Sequence, residues 1–209
     1  MKTVFVNPER CIGCKQCQIA CTVEHAQSKN LYQALFETPT PRPRINVAPG
    51  LYLSTSFPNK CRHCNPAPCM EVCPTAAISR NSDLDIVTID GYKCITCAMC
   101  AMVCPFDVIR YYRSPTVQLD KTVALKCDHC IDRQRRGEIP ACVEACKVGA
   151  LEFGDINELV KSAAAKLYRA VSVAVSQGQT EWTPLPANVE AWRALGQSVS
   201  QVGQEEERK

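Results

Sequence analysis

The residues best suited to chemistry in this sequence are its cysteines. Sixteen of the 209 residues are cysteines, several times the usual share of a globular protein. Thiol groups bind metal ions or form disulfides, so this number indicates a metal-binding or a disulfide-rich chain. All sixteen lie between residues 11 and 146. The chain therefore has a cysteine-rich body and a tail without cysteines.

The cysteines form four groups of four, called quartets below. They are Cys11, Cys14, Cys17 and Cys21; Cys61, Cys64, Cys69 and Cys73; Cys94, Cys97, Cys100 and Cys104; and Cys127, Cys130, Cys142 and Cys146. The first and third quartets have the spacing C-x2-C-x2-C-x3-C. The second reads C-x2-C-x4-C-x3-C and the fourth C-x2-C-x11-C-x3-C.

The short spacing lets one loop offer three thiolates to one iron-sulfur cube, so a fourth ligand must come from elsewhere. In the bacterial ferredoxin run C-x2-C-x2-C-x3-C-P, the last cysteine binds the other cluster of a pair. We expect this cysteine to stand at the start of a helix that leads away from the loop. The spacing therefore predicts that the quartets work in twos.

Zinc and disulfides are the alternative uses of these cysteines. Zinc knuckles favour two C-x2-C pairs separated by a longer loop, whereas the first and third quartets each compress four cysteines into eleven residues. The amino-terminal MKTVFVNPERC has no apolar signal region and no twin arginine, which predicts a cytoplasmic chain with reduced thiols. The favoured interpretation is four 4Fe-4S clusters.

Composition and motifs exclude several other functions. The formal charge of +3 becomes about −5 once sixteen thiolates and four cluster cores are counted, and no basic run with interleaved aromatics indicates nucleic acid. No apolar run is long enough for a transmembrane helix. Dinucleotide, P-loop and nucleophile-elbow motifs are absent from the sequence. We predict electron transfer without a catalytic residue.

Several charged or polar residues near the quartets have two interpretations. With four thiolates available for each cluster, the histidines are interpreted as polar neighbours or surface groups rather than ligands. The cations either raise the local reduction potential or are simply solvated. These residues are His25, His63 and His129, then Lys15, Arg62, Lys126 and Arg133.

The coarse pattern around the quartets predicts a fold of class α+β. Alternating or β-rich segments predict strands, namely Thr3 to Val6, Arg44 to Val47, Asp85 to Ile89 and Val108 to Tyr112. An amphipathic helix is predicted from a capping box at Asp155 through Val171, and Glu205 to Lys209 is expected to be a mobile end. The expected domains are residues 1–154, the polyferredoxin body, and residues 155–209, a carboxy-terminal helix with a mobile tail.

The order of the quartets resembles a known family. CRHC-x4-C-x3-CP in the second quartet and KCD-x-C-x11-C-x3-C in the fourth are similar to the sixteen-cysteine polyferredoxin subunits of formate dehydrogenases, dimethyl sulfoxide reductase, hydrogenases and carbon monoxide dehydrogenase. The segment ACTVEHAQSKNLYQALFETPTPRPRINV, with KCDHC and PACVEAC, is most similar to the iron-sulfur subunit that accompanies nickel carbon monoxide dehydrogenase.

The resemblance implies two interleaved bacterial-ferredoxin-like modules, each with two 4Fe-4S clusters. It joins the first quartet to the fourth and the second to the third. The implied ligand sets are Cys11, Cys14, Cys17 and Cys146 for cluster 1; Cys21, Cys127, Cys130 and Cys142 for cluster 2; Cys61, Cys64, Cys69 and Cys104 for cluster 3; and Cys73, Cys94, Cys97 and Cys100 for cluster 4. Two departures are Lys147 in place of a proline and Thr96 where the first quartet has Gly13.

The resemblance also implies a function. The protein would pass single electrons between a catalytic subunit, with carbon monoxide dehydrogenase favoured, and a hydrogenase or another acceptor. The alternatives are the equivalent subunit of a formate dehydrogenase, hydrogenase or molybdopterin oxidoreductase, a free-standing ferredoxin or redox sensor, and a zinc-based interaction module. The expected location is cytoplasmic or peripheral to a membrane-bound complex.

Overall fold

The computed structural model describes residues 2–50, 56–113 and 121–176. Its described strands are β1 (Lys2–Val6), β2 (Asn46–Pro49), β3 (Ser56–Asn59), β4 (Ile78–Asn81), β5 (Ile86–Ile89), β6 (Arg110–Arg113), β7 (Thr122–Leu125) and β8 (Leu151–Asp155). Its described helices are α1 (Gln16–Glu24), α2 (Leu31–Ala34), α3 (Pro68–Glu71), α4 (Met99–Met102), α5 (Ile131–Arg135), α6 (Ala141–Glu144) and α7 (Ile156–Ser176), with a 3-10 turn at Pro8–Arg10.

The strands pair two by two in antiparallel ribbons. The pairs are β1 with β8, β2 with β3, β4 with β5, and β6 with β7. The β1–β8 ribbon joins the two ends of the cysteine-rich region, with Val4 opposite Phe153. It therefore brings the segment before the first quartet beside the segment after the fourth. Mixed short helices and small sheets agree with the predicted α+β class.

Two hydrophobic clusters lie among these elements. One contains Ile78, Val87, Ile109 and Val123 with cysteines of the second and third quartets. The other contains Val4, Ile45, Val47 and Leu151 with cysteines of the first and fourth. Helix α3 packs against α4 and α1 against α6, which follows the same grouping. The description of these halves as two ferredoxin modules stays a prediction.

Several predicted elements are confirmed and two begin later than expected. Strands β1 and β5 occur where alternation predicts them. Strand β2 begins at Asn46 rather than Arg44, because the Arg44 backbone N–H donates to the Cys21 sulfur (3.2 Å) instead of a strand. Strand β6 begins at Arg110 rather than Val108, because its partner β7 ends at Leu125, opposite Arg110.

The expected position of the fourth cysteine is wrong. In each quartet one helix begins just before the third cysteine, namely α1, α3, α4 and α6. Cys21 lies inside α1, and Cys73 lies two residues after the end of α3. The reason is that an x3 step is one helical turn, which is completed at the fourth cysteine rather than started there.

The protein divides into two compact units, residues 1–156 and 157–209. Helix α7 begins at Ile156, as the capping pattern indicates, and continues to Ser176. The predicted mobile end, Glu205 to Lys209, lies outside the described residues. The separate functional role of body and tail stays a prediction. Among the described residues, no helix combines the length and apolar character needed to cross a membrane.

Replacing Ile78 by Ala should destabilise the body, because Ile78 is buried in the first hydrophobic cluster and the substitution leaves a cavity. The expected cost is about 2–5 kcal/mol. The measurement is the rate at which visible cluster absorption is lost in guanidinium chloride. Ile139→Ala, at an exposed isoleucine, is the matched control and should leave this rate unchanged. Equal rates for the two variants would contradict the importance of this core.

Candidate metal centres

All four C-x2-C loops contain the same backbone turn. The residue before the second cysteine has a positive φ in every quartet: Gly13 (71°), His63 (51°), Thr96 (59°) and His129 (59°). Glycine adopts this left-handed conformation freely and histidine is enriched there, whereas a β-branched threonine is strained. Thr96 is held by a hydrogen bond from its hydroxyl to the Thr122 carbonyl (2.6 Å). The Thr96 departure therefore preserves the loop.

Three of the quartets also share a turn after the fourth cysteine. Ala76, Asp107 and Gly149 have positive φ, three residues after Cys73, Cys104 and Cys146 respectively. Their backbone N–H groups donate to the carbonyls of those cysteines at 3.2–3.4 Å. Gly149 completes the same turn although Lys147 replaces the proline, and Lys147 is exposed. Lys147 therefore leaves the ligand geometry unchanged.

Two cavities in the second and third quartets are each lined by four cysteines. One is lined by Cys61, Cys64, Cys69 and Cys104, and the other by Cys73, Cys94, Cys97 and Cys100. The fourth cysteine of each quartet thus faces the cavity of the other quartet. These are the sets that the resemblance implies for clusters 3 and 4. Their assignment as cluster ligands stays a prediction.

Cysteines of the first and fourth quartets also lie together. Burial, together with the nearby thiolates of Cys146, Cys11 and Cys14, raises the pKa of Cys17 to about 11. Burial likewise raises the pKa of Cys21, with Cys127 and Cys130 as its thiolate neighbours. Burial and the thiolates of Cys127, Cys21 and Cys130 all raise the pKa of Cys142 well above its usual range. The neighbours therefore follow the sets implied for clusters 1 and 2.

These raised pKa values test whether a metal cluster fits. A buried thiol ionises only with difficulty, and several thiolates side by side repel one another. A cationic metal core removes both penalties, since coordinated thiols are deprotonated outright. All sixteen cysteines are free thiols and the sites offer sulfur donors in fours. This donor set fits 4Fe-4S clusters.

A polar cluster that we call the central cluster is buried beside the second and fourth quartets. It consists of Lys60, His63, Lys126 and His129, each at most 4% exposed. Lys60 Nζ donates to the Cys61 carbonyl (3.1 Å) and lies 3.3 Å from His129 Nε2. Lys126 Nζ donates to the Val87 and Cys127 carbonyls. The two histidine rings lie 4.6 Å apart between centroids.

The residues predicted from the sequence near the quartets include the histidines and Lys126 but not Lys60. The available signal was the repeated pattern K-C-x-H-C, present at Lys60 and again at Lys126. A lysine beside the first cysteine and a histidine before the second occur in both quartets. That repetition could have predicted one shared environment.

The other predicted cations have different surroundings. Lys15 is exposed. Arg62 lies over the rings of Phe57 and Phe106. Arg133 pairs with Glu144 (2.6 Å) and also contacts Glu24 and Glu138. Neutralised by carboxylates, Arg133 offers little charge to a cluster, whereas Lys126 is buried without such a partner among the described ion pairs.

His25 belongs to a charged network at Cys21. Its Nδ1 lies 2.7 Å from the Cys21 carbonyl, and its Nε2 lies 3.1 Å from Asp128 Oδ1. Arg44 donates to the same carboxylate. Burial alone would raise the pKa of Asp128, but the His25 hydrogen bond and the Arg44 charge outweigh it and hold that pKa well below its usual range. The network fixes Cys21 beside the Cys127 loop.

Hydrogen bonds to cysteine sulfurs were also missed by sequence reasoning. The hydroxyl of Tyr111 lies 3.3 Å from Cys100 Sγ, and that of Thr75 lies 3.7 Å from Cys73 Sγ. The backbone N–H groups of His63 and His129 donate to Cys61 and Cys127 Sγ, both at 3.4 Å. Such donors adjust cluster potentials. No spacing rule in the sequence indicates them.

Comparison with known proteins gives family matches over most of the body. Residues 53–156 match the 4Fe-4S dicluster domain, and residues 4–24 match the 4Fe-4S binding domain. The sequence is 35% identical over 175 residues to the electron transport protein HydN of Escherichia coli, covering 79% of this chain and 95% of that protein.

Two further relatives have similar identity. An iron-sulfur protein of Rhodospirillum rubrum is 34% identical over 160 residues, covering 74% of this chain and 82% of that protein. The thiosulfate reductase electron transfer subunit PhsB of Salmonella typhi is 37% identical over 154 residues, covering 73% of this chain and 74% of that protein.

Replacing Gly13 by Ala should destabilise the first loop, whereas Thr96→Gly should be tolerated. A Cβ at Gly13 would lie 2.6 Å from Ser56 Oγ, and the left-handed conformation adds about 1–2 kcal/mol. Thr96→Gly removes that strain together with one hydrogen bond of about 0.5–1.5 kcal/mol, so the two effects offset. The measurement is the temperature at which visible cluster absorption is lost.

Adding Ser56→Ala to Gly13→Ala should recover part of the loss, because the clashing hydroxyl is removed. Equal tolerance of Gly13→Ala and Thr96→Gly would show that the first loop does not need the observed turn.

Proposed function

Because the protein belongs to the family of 4Fe-4S ferredoxin-type electron-transfer proteins, we propose that it is the iron-sulfur subunit of an oxidoreductase complex, passing single electrons between a catalytic subunit and a second acceptor. It carries four 4Fe-4S clusters and is a non-catalytic component. The observation that carries the proposal is the pair of cavities that are each lined by four cysteines of two different quartets.

We propose the ligand sets from these two cavities and, for the first and fourth quartets, from the thiolate neighbours of Cys17, Cys21 and Cys142. Cluster 3 would be held by Cys61, Cys64, Cys69 and Cys104, and cluster 4 by Cys73, Cys94, Cys97 and Cys100. Cluster 1 would be held by Cys11, Cys14, Cys17 and Cys146, and cluster 2 by Cys21, Cys127, Cys130 and Cys142. Each cluster, once bound, supplies a one-electron centre whose potential depends on charge, hydrogen bonds and exposure.

The protein residues then have three tasks. The fourth cysteine of each quartet binds the cluster of the paired quartet, an arrangement that we call crossed. The crossed cysteines hold neighbouring clusters at a constant separation. Hydrogen-bond donors such as Tyr111 and the backbone of His63 stabilise the extra negative charge of the reduced state. The buried segments around Cys127 and Cys142 keep water away from the interior thiolates.

Two exposed positions are suited to electron entry and exit. Among the cysteines, Cys14 and Cys97 are the exposed ones. Each lies in a loop with an exposed isoleucine, Ile12 at 70% and Ile95 at 60%. An apolar residue beside an exposed ligand offers a partner close contact without a charge to desolvate. We propose that the loops at Cys14 and Cys97 meet the donor and the acceptor.

The identity of the catalytic partner is a narrower proposal. The segment from Ala20 to Val47 carries the resemblance to the carbon monoxide dehydrogenase subunit. Relatives named as enzyme subunits include components of tetrathionate, thiosulfate and dimethyl sulfoxide reductases. A reductase of that general kind is therefore the broader candidate, and carbon monoxide dehydrogenase is one specific hypothesis. A cytoplasmic location is part of the same proposal.

Iron analysis of paired alanine variants tests the crossed ligands. Cys104→Ala should lose one cluster, about four iron per chain. Combining it with Cys64→Ala should lose no more, because both cysteines are assigned to cluster 3. Combining it with Cys97→Ala should lose about eight iron, because a second cluster is affected. Circular dichroism checks that each variant is folded.

The uncrossed arrangement would reverse this result. Cys97→Ala with Cys104→Ala would then lose one cluster, and Cys64→Ala with Cys104→Ala would lose two. Zinc without acid-labile sulfide in the anaerobically purified protein would end the iron-sulfur assignment.

Reduction by defined donors identifies the partner. Oxidised protein mixed with carbon monoxide dehydrogenase under carbon monoxide should bleach in its visible absorption within seconds if that enzyme is the donor. Formate dehydrogenase with formate is the parallel reaction. Rapid bleaching by formate dehydrogenase alone would reject the carbon monoxide hypothesis and leave the electron-transfer role intact.

The matched variants Ile12→Lys and Ile95→Lys test the docking loops in the same assay. One of the two should slow reduction by the donor several-fold and the other should not. Equal rates in both variants and the unmodified protein would exclude these loops as the contact points.

A further inference from the structure

The buried side chain of His63 has an unusual hydrogen-bonding state. It is 1% exposed, and its Nδ1 accepts a hydrogen bond from the Val87 backbone N–H (3.1 Å). An imidazole nitrogen that accepts a hydrogen bond carries no proton, so this ring is neutral. A neutral imidazole whose Nδ1 accepts must carry its proton on Nε2. His63 is therefore fixed as the Nε2–H tautomer.

That Nε2–H group has no partner. Among the described residues, His63 Nε2 is the buried side-chain nitrogen or oxygen that lacks any hydrogen-bond partner. Buried donors in native proteins are almost always satisfied, and each exception needs an explanation. The other imidazole, His129, differs because its Nε2 already accepts from the Val4 backbone N–H (3.4 Å) and faces Lys60 Nζ.

The surroundings of His63 indicate what the acceptor is. His63 lines the cavity whose four cysteines are Cys61, Cys64, Cys69 and Cys104. Lys126, which also lines it, is a donor and cannot accept. The side-chain acceptors that line it are cysteine sulfurs, and the loaded protein adds the inorganic sulfides of the cluster. A buried N–H beside such sulfurs stabilises the negative charge of the reduced state.

We propose that His63 Nε2–H donates a hydrogen bond to a sulfur of the 4Fe-4S cluster held by Cys61, Cys64, Cys69 and Cys104, and thereby raises the reduction potential of that cluster above what the cysteines alone would give. The inference rests on the ligand set proposed above. His63 is a positioning and tuning residue, since it is not a ligand.

Nitrogen hyperfine spectroscopy tests the hydrogen bond directly. The sequence has three histidines, so protein grown with histidine labelled with 15N at Nε2 contains only three candidate nitrogens. In the reduced protein, pulsed EPR should show a weak Nε2 coupling on one cluster. The coupling should vanish in His63→Phe and persist in His129→Phe and His25→Phe.

A redox titration supplies the second measurement. In His63→Phe the equilibrium of the coupled cluster should shift about tenfold toward the oxidised form, equivalent to ~59 mV for one electron. The variant retains a ring against His129 but loses both nitrogens. If it fails to assemble, a coupling that persists in both His129→Phe and His25→Phe still assigns the donor to His63, and the absence of any coupling in the unmodified protein overturns the proposal.

The outcomes separate the two proposals. A protein with all four clusters and no Nε2 coupling would overturn the hydrogen bond and leave the ligand set standing. A coupling that depends on His63 but belongs to a cluster unaffected by Cys104→Ala would overturn the ligand set instead. A coupling lost only in His129→Phe would assign the donor to the other imidazole and overturn the proposal.

Discussion

The whole body depends on the bonding of buried thiols to metal. Burial and the charge of neighbouring thiolates raise the pKa of thiols such as Cys21, Cys130 and Cys142, so an empty site would hold four protonated thiols with no bond between them. Little else would hold these loops. Helices α3, α4 and α6 have four residues each, far below the length at which a helix is stable alone, and the described sheets are two-stranded. Metal binding and folding of the body are therefore one equilibrium.

The central cluster follows from the same electrostatics. Arg44 and Arg133 are paired with carboxylates, whereas Lys60 Nζ contacts the Cys61 carbonyl and the His129 ring. Burial lowers the pKa of Lys60, and the thiolates of Cys127, Cys142 and Cys61 oppose that shift. A buried ammonium needs a nearby negative charge. Thiolates of the second and fourth quartets supply that charge. Lys60 is therefore a buried cation beside the cysteines of two different quartets.

Spacing in the sequence was sufficient for the parts of the site that depend on local geometry. The x2 steps predict the loops, and Gly13 marks a left-handed turn, but the same conformation at Thr96 and His63 is visible only in three dimensions. Thr96 is held by Thr122, twenty-six residues away. The late start of β2 has the same origin, since the Arg44 backbone N–H donates a hydrogen bond to the sulfur of Cys21 in α1. Tertiary hydrogen bonds outweighed local preference at each of these positions, and no local pattern records them.

The β1–β8 ribbon has a consequence for biosynthesis. Ribosomes deliver a protein from its amino terminus at about 5–20 residues per second. The hydrophobic cluster around Ile78 and Val123 is complete once β7 has emerged, because its members lie between Ala67 and Leu125. Strand β1, although made first, must wait for Leu151–Asp155. The earliest cysteines therefore remain exposed on the nascent polypeptide longest, so they are the ones that most need protection from oxygen and from foreign metals until translation is nearly finished.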